Sequence, residues 1–308
     1  MRLEELAVLA PRTPSAPVPD WALGCFRLHG ASYADGSEDR PGQTVRLQVR
    51  GMSGGLRIPT ARPALAGRTD LQAFTPGELA DLASVDGQVS DLSFAGGVIS
   101  RDNPVSFQPF TAWTLPFSMH RVGARLVEMA AGGAYVQDWR IEPGSAGLMV
   151  GMRLMFETTI DGATRPRDGA VLICGEHCLL SLGRHRPLPP GPPIAHQMLA
   201  AGDPFAFAER VFDAEISYAR RDASGDFKVE LSTDPFREGT VLPLGDNFVQ
   251  TSIKEILRQH LDDDEDTVAV RQWRIDTLAA WAGTGSGTPV DEIGAAWLKA
   301  RDDRRSPG

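Results

Sequence analysis

The chain is poor in cysteine, in long apolar runs, in basic residues and in catalytic motifs, and each shortage removes a class of protein. Cys25, Cys174 and Cys178 are the only cysteines in 308 residues. An odd and sparse set cannot build a disulfide framework, so they are read as reduced thiols of a cytoplasmic protein. No uninterrupted apolar run approaches the roughly 18 residues that a spanning helix needs, which argues against a membrane partner. Residues 1–10 carry Glu4, Glu5 and the single basic Arg2, unlike the charged start and apolar core of a signal peptide. Against 40 acidic residues stand 31 Lys and Arg, a formal net charge of -9, and the densest basic stretches are Arg220-Arg221 and Arg184-His185-Arg186. That balance argues against a nucleic-acid partner, whose phosphates require a concentrated basic patch. G-x-S-x-G, H-E-x-x-H and dinucleotide fingerprints are missing, so neither a cofactor nor a metal is expected.

What is present reads as a mostly-β protein. Hydrophobic residues at 42%, charged residues at 23%, 32 Gly and 23 Pro fit a loop-rich globular chain rather than a disordered or coiled-coil one. Residues 1–20, with Pro11, Pro14, Pro17 and Pro19, read as a flexible lead-in. From 21 to 186 short strand-type runs alternate with Gly, Pro and Asp turns, the pattern of an antiparallel meander that closes into a first β-barrel. Val45, Leu47 and Val49 alternate with Thr44, Arg46, Gln48 and Arg50, as in a half-buried strand, and Tyr135, Gln137, Trp139 and Ile141 alternate with Val136, Asp138, Arg140 and Glu142. Residues 148–157 and 170–182 are apolar on both faces and read as central strands. Two hairpins are expected, one around Gly123-Ala124 and one whose two-residue loop is Gly175-Glu176. Thr75-Pro76-Gly77-Glu78 is a capping box that opens a helix with Leu79, Leu82 and Ala83 as its stripe.

Residues 187–193, Pro-Leu-Pro-Pro-Gly-Pro-Pro, lack the donors to join a sheet interior and read as a linker. Beyond it, residues 194–308 form a second β-rich domain with helices near 194–201 and after Asp203-Pro204. A helix is expected to open at Ser252-Ile-Lys-Glu255, and a C-terminal one at Thr288-Pro289. The acidic run 262–266 lacks the spacing of a calcium loop and reads as solvated. Trp139-Arg-Ile-Glu142 recurs as Trp273-Arg-Ile-Asp276, which would suit two related β units in tandem.

Several short motifs, taken together in order, carry a resemblance. Trp21-Ala-Leu-Gly24, Asp35-Gly36, Leu56-Arg-Ile-Pro59, Phe94-Ala-Gly96 and Trp139-Arg-Ile-Glu142 are followed by Phe212-Asp-Ala-Glu-Ile-Ser217, Leu231-Ser-Thr-Asp-Pro235 and Glu238-Gly239. Over residues 21–242 the chain resembles a family of bacterial proteins similar to a fungal cytosolic protein built of two lipocalin-like barrels. The resemblance implies two tandem antiparallel lipocalin-like β-barrel units with a few helices, including a C-terminal one. It implies no activity and no catalytic residues.

Candidate functional residues follow from polar groups set among apolar ones. Cys174, His177 and Cys178 look like a metal cluster, but the hairpin turns Cys178 to the opposite face. Buried thiols beside a hairpin-end imidazole, or a Cys174–His177 nucleophile pair, remain. His120 and Glu128 flank the Gly123 turn, with Arg121 and Glu128 on the face of Met119 and Leu126 and His120 on the other. A lumen group that orients a ligand and an exposed Arg–Glu pair read alike here. Arg153, in a strongly apolar strand, needs a partner, either a ligand carboxylate or Glu157. Tyr135 and Trp139 line a cavity or pack a core. Asp213 with Glu215 alternates against Phe212 and Ile216 and reads as a solvated outer face.

The leading expectation is a small-molecule-binding protein that holds a partly apolar, anionic ligand in the first barrel through Tyr135, Trp139, Arg153 and His177. Its rival is a cofactor-independent lyase or isomerase using His120, Glu128 and Arg153 as acid, base or electrostatic stabiliser in that cavity. A structural or partner-binding module with filled barrels is the third. Oligomeric state is not legible.

Overall fold

The computed structural model describes residues 1–15, 18–39, 42–109, 115–261, 268–283 and 291–305. Two antiparallel sheets divide the chain. The first is built from β1 (Gly24–Tyr33), β2 (Glu38–Asp39), β3 (Gln43–Gln48), β4 (Met52–Ile58), β5 (Asp86–Ala95), β6 (Val98–Ser106), β7 (Phe117–Val122), β8 (Arg125–Ala130) and β9 (Tyr135–Ile141). Each strand from β3 to β9 pairs with its predecessor in the ring β1-β3-β4-β5-β6-β7-β8-β9, and β9 returns to pair with β1, so eight strands close a barrel. Closure leaves no free edge among them. The short β2 hangs on the end of β1.

The second sheet holds β10 (Gly147–Thr159), β11 (Thr164–Arg165), β12 (Gly169–Cys174), β13 (His177–Leu182), β14 (Glu215–Arg221), β15 (Phe227–Ser232), β16 (Phe248–Gln250), β17 (Ile256–His260) and β18 (Val268–Trp281). Its order is β15-β14-β13-β12-β10-β18-β17-β16. The expectation of two tandem barrels is therefore corrected: β15 and β16 do not pair, and this sheet stays open. The cause lies in the chain between them. Gly239 N donates to Val229 O (2.9 Å), Val229 N to Thr240 O (2.8 Å) and Leu242 N to Phe227 O (2.8 Å), so the connection itself takes the edge of β15 that β16 would need. Sheets change between β9 and β10, and the proline-rich residues 187–193 lie between β13 and β14, neighbours in one sheet.

Strand by strand the two sheets nonetheless correspond. Each begins with a strand that later receives the last strand of its sheet, β1 with β9 and β10 with β18, and each first strand carries a two-residue partner, β2 or β11. The repeated Trp-Arg-Ile sits at equivalent places: Leu28 faces Trp139 and Phe26 faces Ile141, as Leu154 faces Trp273 and Met152 faces Ile275. A register shift follows at the same step in both, after Leu28 and after Leu154.

Two apolar clusters hold the molecule. One contains Val45, Leu47, Val49 and Leu56 from the barrel's outside together with Ala170, Leu172, Leu179, Ile216 and Tyr218 from the second sheet. The other fills the second sheet's opposite, concave face with Val150, Ile173, Leu180, Phe248, Leu257 and Trp273. It is plugged by α1 (Leu3–Leu9), whose Leu3 and Leu6 are buried there, so this part of the lead-in is ordered. α2 (Pro76–Leu82) opens with the expected capping box, Glu78 N donating to Thr75 Oγ1 at 3.3 Å and Thr75 N to Glu78 Oε2 at 2.9 Å. It packs with α3 (Ile194–Ala200) and α4 (Pro204–Val211) against the shared cluster. α5 (Glu292–Arg305) crosses the barrel's outside, where Arg301 Nη1 donates to the buried Asp138 Oδ2 at 2.6 Å. Thr288, Pro289 and residues 262–266 lie outside the described residues. The helix expected at Ser252 is instead a turn into β17, whose Leu257 and Gln259 alternate inward against exposed Arg258 and His260.

Candidate functional site

The barrel's inward face is polar at its centre. Cross-strand pairs Phe26–Arg46, Arg46–Gly55 and Gly55–Gln88 place Arg46 on the same side of the ladder as Phe26, with Thr44 and Gln48 beside it. Val45, Leu47 and Val49 point outward, where the second sheet covers them. The polar face of β3 is thus the buried inner one. Glu128 and Leu126 of β8 face Gln137 and Trp139 of β9, and Met119 and Phe117 of β7 share that face.

At the centre Arg46 forms an ion pair with Glu128, their side chains 2% and 0% exposed. The Arg46 guanidinium also lies 3.9 Å from the centroid of the Trp139 ring. Arg101 Nη2 reaches Glu128 Oε1 at 3.5 Å and stacks 4.0 Å from the Phe117 centroid. Tyr135 Oη donates to Glu128 Oε1 at 2.8 Å. Burial alone would raise the Glu128 pKa, but the charges of Arg46 and Arg101, with hydrogen bonds from Arg46 and Tyr135, hold it below the usual carboxylate value. Burial and the Glu128 charge push the Tyr135 phenol upward, so it stays a donor. Two guanidiniums thus meet one carboxylate. Among the described residues, the buried Thr44 Oγ1, Gln48 Oε1, Ser90 Oγ, Gln137 Oε1 and Trp139 Nε1 have no hydrogen-bond partner in the protein. Orphaned groups of this kind are uncommon in protein interiors, and here they converge on one lumen.

No family model, no curated protein and no solved structure matches the chain. Function is therefore read from the residues. Of those expected from sequence, the structure brings Glu128, Tyr135 and Trp139 together and puts the others elsewhere. His120 faces outward from β7. Its Nε2 lies 3.0 Å from Ser118 Oγ and its Nδ1 3.0 Å from Asp291 Oδ2, the N-cap of α5. This serine–histidine–aspartate chain lies on a strand whose Ser118 is laddered to Val98 and Met129 on either side. That pairing occupies the backbone amides that would have to stabilise an oxyanion beside Oγ.

Arg153 does not pair with Glu157. Its Nε donates to Asp91 Oδ1 at 3.0 Å and its Nη2 to Asn103 O at 2.5 Å, bridging the second sheet to the barrel. Glu157 is held by Arg271 Nε at 2.8 Å. His177 pairs with Cys174 across its hairpin, as expected, but lies between the two sheets: Nδ1 meets Tyr218 Oη at 2.9 Å and Nε2 meets Pro143 O at 2.7 Å. Burial lowers its pKa, so the neutral ring accepts at Nδ1 and donates at Nε2 with both nitrogens satisfied. Burial pushes the Cys174 thiol up to about 12, which removes the thiolate a nucleophile requires. Among the described residues no group of three His, Cys, Asp or Glu side chains could hold a metal ion, and no helix is long and apolar enough to cross a membrane. Arg46 and Arg101 are the central residues that sequence reasoning missed. The signal for Arg46 is present in the strict alternation of β3, but alternation alone does not say that the polar face is the inner one.

Proposed function

We propose that the closed barrel is a binding site for a small molecule with a flat apolar body and an anionic group. The observation that carries this reading is the lumen centre: two arginines against a single carboxylate, flanked by Trp139, Phe117 and unpaired amide, hydroxyl and indole groups. Guanidiniums at the lumen centre suit a carboxylate, which a guanidinium grips with two parallel hydrogen bonds. The orphaned groups offer a ligand both donors and acceptors. Binding is favoured over acid–base chemistry because Glu128, stabilised as its anion by two arginines, is a weak base, and because His120 lies outside the lumen.

Thermal melts and equilibrium dialysis with a panel of one- and two-ring aromatic carboxylates test the proposal. At least one acid should raise the melting temperature and bind saturably, and the Arg46→Met/Glu128→Leu double variant should fold yet bind none. A ligand that binds that variant as well as the native chain, or a panel with no saturable binder, would leave the barrel as a packed module.

A further inference from the structure

The second sheet, open where the barrel is closed, also has a polar floor, and above it lies a cavity of about 630 Å³. Its walls include Leu180, Leu182 and Phe212, and Arg271 reaches it from β18. Arg271 is only 4% exposed. Its Nε is taken by Glu157, but among the described residues Nη1 and Nη2 have no hydrogen-bond partner. The floor around it is otherwise spoken for. Glu157 also faces Arg167 Nη1 at 3.6 Å and His185 Nε2 at 3.3 Å, while Asp213 holds His185 Nδ1 at 2.8 Å. Arg237 is tied to Glu215 at 3.0 Å. Asp234 and Asp246 also lie on the cavity wall, and burial raises the Asp234 carboxyl above its ordinary value.

Correspondence between the sheets points the same way. Gln137 stands two residues before Trp139 and faces Ala31, and Arg271 stands two residues before Trp273 and faces Glu157. The cavity is therefore the second unit's counterpart of the barrel lumen, reached through the side where β15 and β16 fail to meet. From these observations we infer that the cavity is a second, separate small-molecule site that takes a compound with a compact apolar body and an anionic head, carboxylate, sulfonate or phosphate, gripped by the Nη edge of Arg271. The apolar walls receive the body and the guanidinium fork receives the head. The inference does not depend on the reading of the first barrel.

The probe is 1-anilinonaphthalene-8-sulfonate, whose aromatic rings and sulfonate match that description, titrated into the full chain by fluorescence and counted by native mass spectrometry. The lumen variant Arg46→Met/Glu128→Leu serves as background, so a probe bound in the barrel is not counted. One saturable site should remain there. Arg271→Lys keeps a charge beside Glu157 but loses the fork, and should weaken that site at least tenfold. Val241→Trp, a change at a half-exposed mouth residue that leaves the ionic floor intact, should weaken it similarly. Arg274→Met, a change on the opposite face of the same strand, should leave it unchanged. No saturable site in the background variant would overturn the inference, as would affinity untouched by both Arg271→Lys and Val241→Trp. The circular dichroism of each variant must match that of its parent for its result to count, and Val241→Trp carries the decision if Arg271→Lys fails to fold.

Discussion

Arg46 and Glu128 illustrate how much a buried ion pair depends on keeping both members. Together they neutralise each other, and Tyr135 and Trp139 occupy flanking positions, but either alone is a charge sealed in a barrel. Arg46→Met leaves Glu128 with the more distant Arg101 and should cost about 3–5 kcal/mol in urea denaturation. Adding Glu128→Leu should restore most of that loss, since an apolar pair of similar volume avoids desolvation altogether. A double variant as unstable as the single one would mean that the pair is not the lumen's central contact. The sign of the pH dependence follows from Glu128. Its folded pKa lies below the unfolded value of about 4.3, so its contribution is complete above that pH and is lost as pH falls through the folded value. Acid unfolding should therefore flatten in Arg46→Met/Glu128→Leu relative to the native chain. Glu128, Tyr135 and Trp139 were legible because each is a polar or aromatic residue in a strand of known phase. Arg153 and His177 had the same signature and proved to be inter-sheet struts, because sequence gives the face of a strand but not what covers it.

At the scale of single elements, the ladder of β7 and β8 has the register that the Gly123-Ala124 turn dictates, and α2 begins at its capping box. Both are local, and local chemistry is what a sequence states directly. β3 shows the limit. Its alternation is real, but period 2 only says that two faces differ, and a sandwich of barrel and sheet can bury the apolar face outside and the polar one inside. Ser252-Ile-Lys-Glu255 carries a helix-start signature that pairing with β18 overrides, since Ile256–His260 forms a full ladder from Arg274 to Val270. For α5 the structure makes a sharper statement. Its N-terminus is tied through Asp291 to His120, and its far end through Arg301 to Asp138. His120→Ala should speed amide exchange in the first turns of α5 and cost about 1 kcal/mol or less, because the Arg301 contact persists. A fluorophosphonate should leave Ser118 unlabelled. Labelling lost in His120→Ala would instead make the Ser118–His120–Asp291 chain a nucleophile relay.

Across the whole molecule, the proteins' two units are related in strand order and in the placement of Trp139 and Trp273, yet one closes and the other does not. The repeat was visible as four residues, whereas the opening was not, because it arises from residues 239–242 folding back onto the edge of β15, and nothing in their local pattern marks them as its partner. The units are also not independent. The barrel's outer apolar residues Val45, Leu47 and Leu56 share a cluster with Leu172, Leu179 and Tyr218, so separating them would expose apolar surface on both sides. The two units meet tightly at Gly54, where a Cβ would press on Leu179 Cδ2, and at Gly151, where it would lie 2.9 Å from Val49 Cγ2. Gly54→Val should therefore overpack this contact and cost about 1–3 kcal/mol. Because the core is common to both sheets, the loss should appear as a downward shift of one calorimetric transition that both near-ultraviolet circular dichroism and tryptophan fluorescence follow. Two resolved transitions in the native chain, with only one moved by Gly54→Val, would instead mean that each sheet carries its own stability and that the shared cluster is a docking surface between separate folding units.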